Sequence, residues 1–96
     1  MLFMFIAFDR KNGGPAIRAA TRPRHVEYTK ANGKVKFGGP FVGPNDDMIG
    51  SFSIIEAKDY EEAAAYTQND PYMKAGLFER SELHLWRLSI NTFDKV

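Results

Sequence analysis

One histidine, His25, lies in the stretch "RPRHVEYTK", residues 22 to 30, where a proline-started basic turn meets a tyrosine. An imidazole titrates near neutrality, so it can take a proton from a phenol or a carbon acid and return it, provided a partner fixes which ring nitrogen carries hydrogen. On a helix beginning near Pro23, residues three and four apart share a face. That spacing sets Arg22, His25, Tyr28 and Thr29 in one stripe and gathers a cation, an imidazole, a phenol and a hydroxyl. Asp70, ahead of Pro71, is a candidate acid partner: a carboxylate on one ring nitrogen holds the tautomer and raises the basicity of the other. Both residues also have plainer roles, since helix histidines are often packing residues and an aspartate before proline is a common helix cap. One carboxylate has lone pairs enough to cap and to hold a histidine.

The other candidates are weaker. Ser51, after Gly50 at a strand start, can offer a hydrogen bond to a ligand oxygen, and Arg22 can hold an anionic group. His84, beside Trp86, reads as a packing or interface residue. The "GGP" and "GP" turns lack a following Lys-Ser/Thr or a complete GxGxxG, so phosphate cradling is not expected. A metal would have to draw on His25, Asp70 and either His84 or Asp46, and no local ligand spacing supports one. Neither a metal nor a cofactor is expected.

Ninety-six residues make a single domain, 1–96. A chain this short buries only ~60 to 65% of its unfolded surface, so self-association is expected. Apolar residues make up 44% and aromatics 14%, with eight Phe, more than a disordered segment carries. Without cysteine there is no disulfide, thiolate nucleophile or Cys-ligated metal, and a cytoplasmic location fits. The run "LFMFIAF" meets "DRK" too soon for a signal peptide or a membrane span. Residues 10 to 36 carry Arg10, Lys11, Arg18, Arg22, Arg24, Lys30, Lys34 and Lys36 against Glu27, while 46 to 62 are mainly acidic. Such a split can steer an anionic ligand, match one subunit to another, or simply mark two solvated faces. Nucleic acid is not an expected partner: a pI of 8.0 and the motifs fit no recognised binding fold.

The elements that must position these residues follow in close order. Residues 2 to 8 are apolar throughout, which suits a central strand covered on both faces. "AIRAA" can begin a helix that "TRPRHVEYTKANG" continues or restarts, with Thr21 as a cap before Pro23 and Gly33 as the stop. "KVKFGGPF" alternates, so Val35 and Phe37 should share one face, and the loop "GGPFVGPNDD" should lead to "MIGSFSIIEA", where Phe52 and Ile54 face one way and Ser51 and Ser53 the other. Asp59 with Glu62 forms a capping-box pattern ahead of a helix over about 60 to 68. Asp70, Pro71 and Gly76 outline a further short turn. "ELHLWRLSI" reads as a last strand with His84, Trp86 and Leu88 on one face and Leu83 and Leu85 on the other. The order strand, helix, strand, strand, helix, strand is the α+β, ferredoxin-like βαββαβ plan, a four-stranded antiparallel sheet with both helices on one face. The helix-free face needs a cover, and a second copy of the chain, making a dimeric α/β barrel, is the expected one.

"RPRHVEYT", "GKVKFGGPF", "GSFSIIEA", "EEAAAY" and "NDPYMKAGLFERSELHLWR", in this order and spacing, resemble the YciI-like (YCII-related) family across nearly the whole chain. Val26-Glu27 departs from the small or apolar pair that usually follows the histidine there. The resemblance implies a dimeric α/β barrel of ferredoxin-like type and an active site pairing His25 with Asp70. One characterised relative is similar to a dehydrochlorinase of a chlorinated hydroxyhydroquinone. The expected function is therefore general acid–base chemistry, elimination or isomerisation, on a small cyclic or phenolic metabolite. The alternative is a non-catalytic dimeric module that binds a small ligand or serves as an accessory.

Overall fold

The computed structural model describes residues 1–93; positions 94–96 of the expected domain lie outside the described residues. The elements are β1 (Leu2–Asp9), α1 (Gly14–Asn32), β2 (Val35–Val42), β3 (Met48–Glu56), α2 (Tyr60–Gln68), α3 (Pro71–Lys74) and β4 (Phe78–Trp86). They build one antiparallel sheet in the order β2-β3-β1-β4, so β1, apolar from Leu2 to Phe8, lies inside the sheet, as its composition requires. The helices cover one face, over a core in which Phe3, Phe5, Ala7 and Ile55 meet Ala63 and Tyr66. This is the ferredoxin-like βαββαβ arrangement. No helix among the described residues is long and apolar enough to cross a membrane.

Four local expectations are corrected. First, α1 is continuous, and Thr21 is buried in mid-helix rather than capping a second one. Proline removes one helical hydrogen bond at Pro23, but Arg18, Thr21, His25 and Tyr28 recur every three or four residues across it, and burying that stripe favours an unbroken helix. Gly13 and Gly33, both left-handed, bound it.

Second, the "GGP" segment is strand, not turn; the chain turns at 43–47. β2 is an edge strand, where a proline without N–H costs no ladder bond. Gly38 has no room for a side chain: a Cβ there would collide with the Phe52 backbone oxygen.

Third, a bulge at Lys36 puts Val35 opposite Ile55 but Phe37 opposite Ile54, so Val35 and Phe37 point to opposite faces. Phe37 joins Phe52 on the helix-free face, with ring centroids 6.2 Å apart.

Fourth, β4 ends at Trp86, so Leu88 lies beyond the strand. The segment after it brings Phe93 within 6.4 Å of Phe37, ring centroid to centroid, and supplies part of the cover for the helix-free face from the chain itself.

The Asp59 and Asp70 caps form as expected, with the return bond of the Asp59/Glu62 pair going to the Lys58 N–H instead of that of Asp59. Asp59 accepts the Glu62 N–H at the head of α2, while the Glu62 carboxylate takes the Lys58 N–H and the Lys34 ammonium. Lys34 to Glu62 and Lys36 to Glu56 are ion pairs, so part of the basic first third is matched within the chain.

Candidate active site

Between the sheet and α1, α2 and α3 lies a cavity of about 300 Å³. Its origin is in the side chains at one end of the sheet. Gly38 pairs with Ser53 and Pro40 with Ser51, and Ala7 lies beside Ser51. These small residues share the helix-covered face, and the helices cannot close down on them without moving from Phe3, Phe5 and Ile55, which hold them at distance.

His25 and Asp70 meet at this cavity. The His25 Nδ1 to Asp70 Oδ1 distance is 2.8 Å, within hydrogen-bond reach, and both residues line the hollow. Asp70 also caps α3, its Oδ1 accepting the Tyr72 N–H at 2.8 Å. One carboxylate oxygen therefore serves both roles. Because an ionised carboxylate only accepts, the bond to His25 requires the proton on Nδ1 and, in the uncharged ring, leaves the Nε2 lone pair free. The imidazole stacks on the Tyr72 ring, with centroids 4.0 Å apart and planes 17° apart, which fixes its orientation. Thr29 donates to the His25 carbonyl at 2.9 Å.

A second cluster adjoins the first. Arg18, two helical turns before His25, is buried; its Nε and Nη2 donate to the two Asp9 carboxylate oxygens at 2.7 and 2.9 Å. Nη2 also reaches the Gly50 carbonyl at 3.0 Å and Ser51 Oγ at 3.1 Å. The guanidinium carbon lies 4.8 Å from the Tyr72 ring centroid, a cation–π contact. Burial works against the Arg18 charge, but the Asp9 carboxylate outweighs it and the guanidinium holds its proton more tightly than usual. Burial likewise pushes the Tyr72 phenol up, opposed by Arg18 and Arg22.

Among the sequence candidates, His25, Asp70, Arg22 and Ser51 line the cavity, Arg22 from an exposed position at its rim. Tyr28 does not. Its hydroxyl donates to the Tyr66 carbonyl at 2.7 Å and its ring stacks on Tyr66, because the helix turns it toward α2. Burial, then the neighbouring Tyr66 and Asp70, push its phenol up to about 12. His84 is exposed on the helix-free face beside Glu82, at 2.9 Å. Arg18, Asp9, Tyr66 and Tyr72 were not singled out from sequence. Arg18 was detectable in principle, since seven residues before His25 is the same helix face. Among the described residues no three His, Asp or Glu side chains are grouped to hold a metal.

Residues 1–87 match the YCII-related domain. No curated protein matches the chain. Among solved structures, the chain is similar to a 5-chloro-2-hydroxyhydroquinone dehydrochlorinase from Burkholderia phenoliruptrix in complex with 2,5-dihydroxybenzoquinone. The two are 33% identical with a TM-score of 0.84, over 93% of this chain and 96% of that one. It also resembles an antibiotic biosynthesis monooxygenase (14% identity, TM-score 0.59, 94% of this chain and 100% of that one). The Rv0793 protein of Mycobacterium tuberculosis is comparable (10% identity, TM-score 0.59, 93% and 96%). These last two share the fold alone.

Proposed function

Since the chain belongs to the YCII-related domain family, we propose that it is a small-molecule enzyme of dehydrochlorinase-like type in which His25, held by Asp70, performs general acid–base chemistry on a hydroxylated six-membered ring. The observation that carries this reading is the 2.8 Å His25–Asp70 contact on the wall of a cavity of about 300 Å³. Small-molecule sites fall in this range of size.

For a chlorinated trihydroxybenzene the steps balance with no redox partner. Nε2 of His25 takes a ring hydroxyl proton and returns it to the carbon bearing chlorine, giving the keto tautomer. It then takes a second hydroxyl proton while the C–Cl pair leaves as chloride, and the ring becomes a hydroxyquinone. The net change is loss of HCl. Asp70 steadies the imidazolium formed at each proton transfer. Arg22, at the rim, is suited to the negative charge that develops on a ring oxygen. Ser51, tied to Arg18, has a hydroxyl on the cavity wall for a second oxygen.

The working unit in this reading is a homodimer joined through the helix-free sheet face, where Phe37 remains exposed in the single chain. A cytoplasmic location is taken with it, in keeping with the lack of cysteine. The experiment is chloride release from 5-chloro-2-hydroxyhydroquinone by the wild type and by His25→Gln, which keeps size and some hydrogen bonding but removes the titrating nitrogen. Loss of turnover in the variant, with binding of 2,5-dihydroxybenzoquinone kept, is expected. Turnover that survives the change would leave a ligand-binding module without this chemistry.

A further inference from the structure

The Tyr66 hydroxyl plays no part in the chemistry above, yet it is the one buried side-chain polar atom without a hydrogen-bond partner among the described residues. Tyr66 belongs to α2, is 5% exposed, and lines the same cavity as His25. Buried hydroxyls are nearly always satisfied, because one left unpaired keeps its desolvation penalty. The chain nonetheless fixes this one in place. The Tyr28 ring stacks on Tyr66 at 5.0 Å and 23°, and the Tyr28 hydroxyl holds the Tyr66 carbonyl at 2.7 Å. Thr29, on the cavity wall, spends its own proton on the His25 carbonyl.

We infer that the Tyr66 hydroxyl is a specificity-determining donor, set to bind an acceptor oxygen of the ligand, a quinone carbonyl or a phenolate, while another oxygen of the same ring faces His25. Burial pushes the phenol up from its ordinary value, against the opposing pull of the nearby Thr29 hydroxyl, which lies outside hydrogen-bond geometry, so the donor proton is present at neutral pH and not held by an internal acceptor. A ring lacking that oxygen would leave the hydroxyl unpaired and be rejected, since a site built to hydrogen-bond a polar group discriminates strongly against the analogue without it. The inference rests on the proposed reading of the site and adds to it which ring substituents are read.

The test is Tyr66→Phe, followed by thermal unfolding of the free protein and by titration with 2,5-dihydroxybenzoquinone. Removing an unpaired hydroxyl should raise Tm by about 2 to 8 °C in the free protein. It should weaken quinone binding roughly 3- to 10-fold. Tm rising while affinity falls is not the pattern of a merely structural residue. A lowered Tm, or a variant that fails to fold, would mean the hydroxyl has an internal partner and would overturn the inference. So would a quinone affinity equal to that of the wild type, with the functional reading left standing. A wild-type protein that does not bind the quinone sinks both.

Discussion

Asp70→Asn should separate the two duties of a single oxygen atom. Asp70 Oδ1 accepts both the Tyr72 N–H that starts α3 and the His25 Nδ1–H, each at 2.8 Å. In the asparagine variant the backbone N–H keeps the side-chain oxygen in that position, so the cap and the histidine tautomer both survive and only the charge is lost. A hydrogen bond to a charged group contributes about 1.5 to 3 kcal/mol and a neutral one about 1 kcal/mol. The difference, about 0.5 to 2 kcal/mol at the imidazolium, converts to a fall in kcat/KM of roughly 2- to 30-fold. Stability should hardly change, because asparagine caps as well as aspartate. Asp70→Ala removes cap and partner together, so its activity should fall further and its Tm by about 4 to 8 °C. The assay is chloride release beside thermal unfolding for the three proteins. An Asp70→Asn protein as active as wild type, or as unstable as Asp70→Ala, would refute the division of labour.

Asp9→Asn should cost about 3 to 5 kcal/mol by chemical denaturation, because the Arg18 side chain is 8% exposed and would lose its buried counter-charge; Asp9→Leu combined with Arg18→Met should recover much of the loss, and an unaffected single variant would contradict the pairing. The raised Tyr28 phenol makes a signed pH prediction. The folded chain keeps that proton to about pH 12 while the unfolded chain gives it up near pH 10, so this contribution is complete below about pH 10 and fades as pH rises toward about 12. Denaturation curves of Tyr28→Phe should lose less stability than wild type across that window, and parallel decline would exclude the effect. Ile6 lies at the middle of the helix-free face on the central strand, and Ile6→Glu should turn a dimer into monomer in sedimentation experiments; an unchanged mass would move the interface elsewhere.

Those parts of the fold that depend on local pattern were legible in the residues. The apolar run 2–8, the Asp59/Glu62 cap and the Asp70-Pro71 start each carry their signal within a few positions. His25 and Asp70 lie 45 residues apart, and their pairing was reached through a family resemblance rather than from spacing. What escaped depends on burial decided by the whole molecule. A buried arginine such as Arg18 contradicts composition, and it is tolerated only because Asp9, Gly50 and Ser51 converge on it from two strands. Pro23 and the "GGP" segment punctuate structure locally, yet tertiary packing over α1 and the edge position of β2 override them. The bulge at Lys36 left no trace in the alternation that it breaks.

The central claim is that one imidazole is presented to the cavity with its proton on the buried side. The chain has two histidines, so ring ¹⁵N spectra of the wild type and of His84→Asn assign His25 without ambiguity. At neutral pH the account predicts the Nδ1–H tautomer for the uncharged His25 ring, with an Nε2 signal that moves when 2,5-dihydroxybenzoquinone is added. An Nε2–H tautomer, or an Nε2 signal that ignores the quinone while the quinone binds, would contradict it.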